Sequence, residues 1–278
     1  MENTSKLFIF GLNGYIGTHL KIQLNKEYNI FSCTNTLHDK SYKQILKQAC
    51  INDTCINLSS IIGNDCEIDK RKTKKINIDL NKEICDSKIG KVIFASTSSL
   101  YGYQPYPCKE TAPLNPTNYY TETKLIAENI VKSSKKFIII RPGLCFGGYK
   151  NISYNNFINS YISNYFKRVK SQIYDIDSYR PYVPVTYVAQ VINKLIKSTI
   201  TNEVFNIGFT HMNYRKFDLI KIFNMLNLNK NIEFIQGKKT RSYQLNCSKL
   251  EDLFGLKKKN ILEEILKAIR HINYEIKK

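Results

Sequence analysis

The chain has no apolar run near the ~20 residues a membrane-spanning helix requires. Its first apolar run, Leu7-Phe8-Ile9-Phe10, stops at a glycine and reads as a strand. That run is too short for a signal-peptide core, so no membrane association and a cytoplasmic location are expected. The eight cysteines include no CxxC pair, and no nearby histidine completes a zinc site, so no metal is expected. Cysteines in apolar surroundings, such as Cys55 in Thr54-Cys55-Ile56-Asn57-Leu58, read as buried free thiols of a reducing compartment. Acidic residues are scarce: 23 Asp and Glu stand against 42 Lys and Arg, a net charge of +19. Such a field concentrates anionic partners, whether nucleic acid, a dinucleotide or a sugar diphosphate. The lysines are spread along the chain rather than set beside aromatics, which argues against a nucleic-acid platform. No internal repeat and no long linker interrupts the 278 residues, so one domain or two closely joined domains are expected.

What is present is an alternation of short β-rich runs with helical segments. Strands are expected over 6–10, 29–33, 54–58, 91–95 and 137–141, and helices over 15–24, 42–48, 75–85 and 120–131. This order argues for an α/β fold, a parallel sheet covered on both faces. Val92-Ile93-Phe94 and Phe137-Ile138-Ile139-Ile140 are continuously apolar, as strands buried on both sides are. After Gly148 the pattern loosens. Residues 151–170 are rich in Asn and Tyr with some helical period, while a helix over 188–197 and a strand over 204–207 are expected to return to the first layer. The pieces 216–226 and 232–236 are expected to form a small lid. Residues 261–272 read as an amphipathic helix with Ile261, Ile265, Leu266, Ile269 and Ile272 on one face. The expected division is a dinucleotide-binding domain over 1–148, with 185–208 returning to it, and a substrate-binding region over 149–184 and 209–278.

Three motifs carry chemistry. Gly11-Leu12-Asn13-Gly14-Tyr15-Ile16-Gly17 follows an apolar strand and opens a helix. Glycines there let the backbone approach a pyrophosphate, and the helix N-terminus offers N–H donors and partial positive charge. Tyr120-Thr121-Glu122-Thr123-Lys124 sets a tyrosine and a lysine on one helical face. A cation so placed stabilises a tyrosinate and brings a phenol of pKa ~10 toward a usable range. Phe94-Ala95-Ser96-Thr97-Ser98-Ser99-Leu100-Tyr101-Gly102 is a buried strand that ends abruptly in hydroxyls, at the end where open parallel sheets bind ligands.

Taken in order, these motifs resemble the extended short-chain dehydrogenase/reductase family, of the NAD-dependent epimerase/dehydratase type that acts on sugar nucleotides. The GxxGxxG spacing is that of the extended type. Asn57-Leu58-Ser59-Ser60 resembles the segment passing beneath the nicotinamide, and Arg141-Pro142-Gly143-Leu144-Cys145-Phe146-Gly147 resembles a further family turn. Arg180-Pro181-Tyr182-Val183-Pro184-Val185-Thr186-Tyr187 resembles the segment that begins with a diphosphate-binding arginine, although Tyr187 replaces the usual aspartate. Asn246 likewise stands before Ser248-Lys249 where Asp is common. The resemblance implies a Rossmann-type doubly wound sheet with a smaller C-terminal lid. It implies a catalytic set of Thr97, Tyr120 and Lys124. Its implied cofactor-binding residues are Gly11, Asn13, Gly14, Tyr15, Ile16, Gly17, Thr34, Asn35, Leu58, Ser59, Ser60, Asn77, Tyr120, Lys124 and Pro142. Substrate contacts are implied for Ser98, Ser99, Tyr120, Asn156 and Arg180.

The end of the second strand, Cys33-Thr34-Asn35, has neither an acid for the 2′-hydroxyls of NAD nor an arginine for a 2′-phosphate. NADP(H) and NAD(H) both remain open, and the missing acid tilts the reading to NADPH. Family dehydratases carry an Asp-Glu pair where this chain has Ser98 and Ser99, which disfavours dehydration. The fucose-forming epimerase-reductases carry a cysteine at the Ser99 position, and serine offers no accessible thiolate in its place. The expected activity is reduction of the 4-keto group of a nucleotide-diphosphate-linked 4-keto-6-deoxysugar. A 4-epimerase with tightly held NAD and a catalytically inactive nucleotide sensor are the alternatives. The helices over 75–85 and 120–131 often pair in family dimers, so a homodimer is expected, with a nucleotide-diphosphate sugar as substrate and no nucleic-acid partner.

Overall fold

The structure is a computed structural model that describes residues 6–24, 28–33, 41–133, 136–228, 232–236 and 241–278. The chain opens with β1 (Lys6–Phe10), α1 (Tyr15–Gln23), β2 (Asn29–Cys33), α2 (Ser41–Lys47) and β3 (Thr54–Asn57). The short helices α3 (Asp65–Ile68) and α4 (Lys70–Lys74) follow, then a π-helical turn at Lys75–Asp79 and α5 (Leu80–Cys85). Next come β4 (Lys91–Ala95), a 3₁₀ turn at Ser98–Tyr101, α6 (Tyr119–Lys132) and β5 (Phe137–Pro142). The remainder is β6 (Leu144–Phe146), α7 (Phe157–Lys167), β7 (Ser171–Ile173), β8 (Tyr179–Pro184), α8 (Val185–Lys197) and β9 (Glu203–Ile207). β10 (Asn213–Arg215), α9 (Lys216–Met225), β11 (Ile232–Phe234), α10 (Ser248–Phe254) and α11 (Ile261–Lys277) complete it.

Six strands form the central sheet in the order β2-β1-β3-β4-β5-β9, and every pair is parallel. Period-2 alternation divides their apolar side chains between two cores. Phe8, Phe10, Cys55, Val92, Phe94 and Ile139 pack with Leu46, Leu80, Ile84, Ala127 and Val131 of α2, α5 and α6. Leu7, Ile9, Ile56, Ile93, Ile138 and Ile140 face the other way, onto Leu20 of α1 and Val188, Val191 and Leu195 of α8. Both faces are therefore covered, as the continuous apolar runs required. From β1 the chain goes first to one side, β2, and then to the other, β3. The sheet consequently has a topological switch point at the carboxyl ends of β1 and β3, where ligands of such sheets bind.

Beyond this sheet, β10, β8 and β6 form a three-stranded sheet and β11 pairs with β7. β6, β7, β10 and β11 are three residues each, too short for alternation to announce them. Helix α8 begins at Val185 rather than 188, because Pro184 ends the strand and stands at the N-cap. α11 runs to Lys277, beyond the expected 272, and packs on α7. The expected helix over 75–85 is not uniform: its first turn is π-helical. Such turns gather at functional sites. Here the extra residue carries Asn77 toward the loop after β3. Its side-chain amide donates to the Ile61 carbonyl (3.0 Å) and to Thr123 Oγ1 (3.0 Å), and its Oδ1 accepts from Ile61 N–H (2.9 Å).

Candidate active site

A cleft of about 340 Å³ opens over the carboxyl ends of β1, β3, β4 and β5. Its floor is the turn between β1 and α1. Gly11 has φ +80°, and a Cβ there would stand 2.8 Å from the Leu58 carbonyl carbon and from Ser59 N. A Cβ on Gly17 would strike the carbonyls of Gly11 and Leu12. Only glycine fits either position. Gly14 is the N-cap and provides no side-chain acceptor, so the first N–H groups of α1 face the cleft uncapped by a side chain. Tyr15 and Ile16 join the lining. Tyr15 also donates from its hydroxyl to the Gly147 carbonyl (2.7 Å), stitching the turn to the chain after β6. Asn13, between two lining glycines, is exposed and not itself part of the lining; its carbonyl accepts from Asn151 Nδ2 (2.8 Å).

The far wall is β4 and α6. Asn118 N-caps α6 in a capping box with Thr121, which fixes the helix start and so the facing of Tyr120 and Lys124. Thr97, Tyr120 and Lys124 all line the cleft. Thr97 accepts from Ser99 N–H (3.2 Å). Burial pushes the Tyr120 phenol up to about 12, with the Thr97 hydroxyl acting in the opposite direction. Lys124 is buried, donates to the Ala95 carbonyl (2.5 Å) and lies 4.3 Å from the Phe94 ring centroid. Burial pushes its ammonium down to about 7, while Glu128 and Cys66 act upward. Desolvation governs both groups, and it favours the neutral form of each.

Tyr119, the neighbour of Tyr120, points elsewhere: its backbone N–H reaches Glu67 (3.2 Å) and Lys70 Nζ lies 5.2 Å from its ring centroid. Leu58, Ser60, Pro142, Ser98, Ser99 and Asn156 line the cleft. The Asn156 side chain is engaged as the N-cap of α7, accepting from Asn159 N–H (2.9 Å). Ser59 lies behind the glycine turn with its hydroxyl buried and unpartnered. Asn77 does not reach the cleft, since the loop it pins lies between. Arg180 does not line it either. Its guanidinium bonds the carbonyls of Tyr179 and Arg241, lies 3.7 Å from the Asp175 carboxylate and stacks 5.8 Å from the Tyr243 ring centroid. Arg180 thus stands one side chain behind the wall. Thr34 and Asn35 lie outside the described residues.

Sequence reasoning missed Tyr243. This buried phenol lines the cleft and lies 3.3 Å from both Ser98 Oγ and Ser99 Oγ. Its segment reaches the site by single bridges, Tyr103 to Ser242 and Cys108 to Leu245, so no periodic pattern signals it. Arg241 was missed for the same reason; its charge acts on both Tyr120 and Arg180. Ser96, of the hydroxyl-rich end of β4, lines the cleft with its hydroxyl buried and unpartnered. Among the described residues no group of His, Cys, Asp and Glu could hold a metal ion, and no helix is long and apolar enough to cross a membrane.

A glycine-floored cleft at the switch point of a parallel sheet, walled by Thr97, Tyr120 and Lys124, defines a nucleotide-cofactor α/β protein of the Rossmann type. The chain belongs to the NAD dependent epimerase/dehydratase family, whose model matches residues 7–208. It is similar to the GDP-6-deoxy-D-talose 4-dehydrogenase of Aggregatibacter actinomycetemcomitans, with 26% identity covering 77% of this chain and 79% of that protein. It is also similar to the UDP-glucose 4-epimerase of Lactobacillus helveticus, with 30% identity over 47% of each chain. Among solved structures, MoeE5 in complex with UDP-glucuronic acid and NAD shares the fold, with a TM-score of 0.84 and 17% identity over 98% of this chain and all (100%) of that one.

Proposed function

We propose that this protein is an NAD(P)-dependent reductase of the 4-keto group of a nucleotide-diphosphate-linked 4-keto-6-deoxysugar. The observation that carries the reading is the meeting of Thr97, Tyr120 and Lys124 in one cleft whose adjacent positions, Ser98 and Ser99, hold hydroxyls rather than acids. The likeness to a GDP-6-deoxy-D-talose 4-dehydrogenase supports it, because oxidation of a 4-hydroxyl and reduction of a 4-ketone are one step run in opposite directions. The cleft fits a dinucleotide. The Gly11 and Gly17 positions have no room for a Cβ, the start of α1 has no side-chain cap, and the Ser96 hydroxyl is buried without a partner. NADPH is the preferred form, on the missing acid after β2.

When bound, the nicotinamide supplies the hydride that reaches C4. The protein's task is the proton and the geometry. Tyr120, held protonated by its raised pKa, donates to the C4 oxygen as negative charge develops there. Thr97, beside that phenol in the cleft, donates to the same oxygen and fixes the carbonyl's facing. Lys124, one turn along α6, binds the cofactor ribose and, in its ammonium form, favours the tyrosinate left behind. Ser98, Ser99 and Asn156 contact the sugar nucleotide, with Arg180 and Arg241 as the nearby cations for its diphosphate. The same reading includes a cytoplasmic homodimer paired through the helical runs 75–85 and 120–131, for which light scattering on the purified protein is the check.

The likeness to a UDP-glucose 4-epimerase favours a second reading, in which the same three residues serve oxidation and re-reduction at C4. The two readings separate on purification. The reductase leaves the column largely free of cofactor and consumes added NADPH or NADH stoichiometrically with a 4-keto sugar nucleotide. An epimerase carries NAD with it and interconverts UDP-sugars with none added.

A further inference from the structure

Glu128 lies four residues after Lys124 on α6, so the two side chains share one helical face. It is fully buried, which for a carboxylate demands a partner. Arg141 of β5 supplies it in bidentate form, Nε to Oε1 at 2.9 Å and Nη2 to Oε2 at 2.7 Å. The remaining guanidinium nitrogen donates to the Tyr101 hydroxyl (3.0 Å) and the Glu110 carbonyl (3.1 Å). The guanidinium thereby ties α6 to the 101–110 segment, and its partner carboxylate is a buried anion on the α6 face that also carries Lys124. A helix clamped to the sheet by this pair also has its Tyr120 and Lys124 positions set relative to β4 and Thr97.

We propose that Glu128 is a positioning residue for the Tyr120–Lys124 pair: clamped by Arg141, its carboxylate holds Lys124 in the ammonium form against the cost of burial. The proposal rests on the reading of Tyr120 and Lys124 as the proton-handling pair. Every charged or titratable group around them bears on it. On α6 these are Tyr120, Glu128 and Lys132, whose Nζ lies 3.8 Å from Glu128 Oε2. From α3 comes the Cys66 thiol, from β5 Arg141, and from the 3₁₀ turn Tyr101. Glu128 and Cys66 both act to raise Lys124, and Glu128 is the stronger. The Cys66 thiol is itself pushed up by burial, so around neutrality Glu128 is the one formal anion that acts.

The test needs no substrate. In protein labelled with [ε-¹³C]lysine, Lys124 is assigned as the resonance lost in Lys124→Met and titrated without ligand. A lysine with a midpoint near neutrality stands apart from surface lysines at ~10.4. Glu128→Gln keeps the shape and removes the charge, and it is expected to lower the Lys124 midpoint by about one unit or more. Arg141→Lys loosens the clamp but keeps both charges. It serves as the control for disturbed packing, and is expected to lower thermal stability while leaving the midpoint within about half a unit of the parent. An unmoved midpoint in Glu128→Gln overturns the proposal, as does an equal shift in both variants. Because the readout is the lysine itself, a shift in the absence of any sugar-nucleotide turnover would uphold the electrostatic role while the functional reading failed.

Discussion

Tyr120 and Lys124 stand one helical turn apart, and burial moves their proton affinities away from each other. The phenol is pushed up to about 12 and the ammonium down to about 7. Tyr120 therefore keeps its proton throughout the physiological range, as a proton donor to a ketone must. Tyr120→Phe retains the ring and removes the proton; turnover is expected to fall ~10²–10⁴-fold while cofactor affinity stays within a few-fold. Tyr119→Phe, whose phenol lies outside the cleft, is expected to be near normal. Equal loss in both variants contradicts the assignment. Lys124 carries a pH signature in stability. Between about 7 and ~10.4 the unfolded chain holds a proton on this lysine that the folded chain does not, so its contribution to stability rises with pH across that window. Comparing melting temperatures of parent and Lys124→Met from pH 6 to 10 should show a parent slope that the variant lacks; parallel curves would mean that the lysine is not depressed. The motif of these two residues was legible in the sequence because helical spacing alone sets them on one face. Their proton affinities were not, because desolvation depends on Phe94, Ala95 and the packed sheet, none of which spacing reports.

At the scale of elements, the site is made by strand ends and the turns that follow them. The β1–α1 turn is the most constrained. Gly11→Ala adds a Cβ 2.8 Å from the backbone of the β3 loop at a φ of +80°. It is expected to lower cofactor affinity at least ~10-fold by displacing that loop or the turn; unchanged NADPH fluorescence titration would remove the turn from the cofactor site. The π-helical turn is a second device. Asn77 holds the 58–61 loop through two hydrogen bonds with Ile61 and one from the Ser60 hydroxyl, and it donates to Thr123 of α6. Asn77→Ala leaves the Ile61 N–H and carbonyl without these partners and should cost about 1–3 kcal/mol in unfolding free energy. A loss well below that in denaturant melts would show the loop to be held by other contacts. Strands β1, β4 and β5 were legible because each holds a continuous apolar run, and α1 because glycines mark its start. What stayed hidden was structure without a period. The three-residue strands β6, β7 and β10 fall in this group, as does the 241–247 segment that brings Tyr243 against Ser98 and Ser99. Arg180 shows the converse: its position along the sequence was read, but its side chain faces Asp175 and the Tyr243 ring rather than the cleft.

For the whole molecule, two cores fix a six-stranded sheet and leave one cleft where the strand order reverses. On the proposed reading the chain's net charge of +19 has a use, since a dinucleotide and a sugar diphosphate are both anions and a positive field draws them in. Raising ionic strength should therefore raise KM for the sugar nucleotide more than it lowers kcat. A KM independent of salt would show that the field does not steer the substrate. The absences in the sequence remain informative beside the fold. By the family resemblance, Ser98 and Ser99 stand where an acid or a thiolate would add elimination or epimerisation at neighbouring carbons; here their hydroxyls lie against the Tyr243 hydroxyl. Reduction at C4 is the step we propose for the groups present. The most direct measurement is NADPH consumption at 340 nm by the purified protein, given the 4-keto form of a GDP- or dTDP-6-deoxysugar, with the product identified by NMR. The account predicts absorbance loss that depends on the keto sugar, is abolished in Tyr120→Phe, and yields one 4-hydroxy epimer. No NADPH consumption with any such sugar, together with interconversion of UDP-glucose and its 4-epimer without added cofactor, would contradict it.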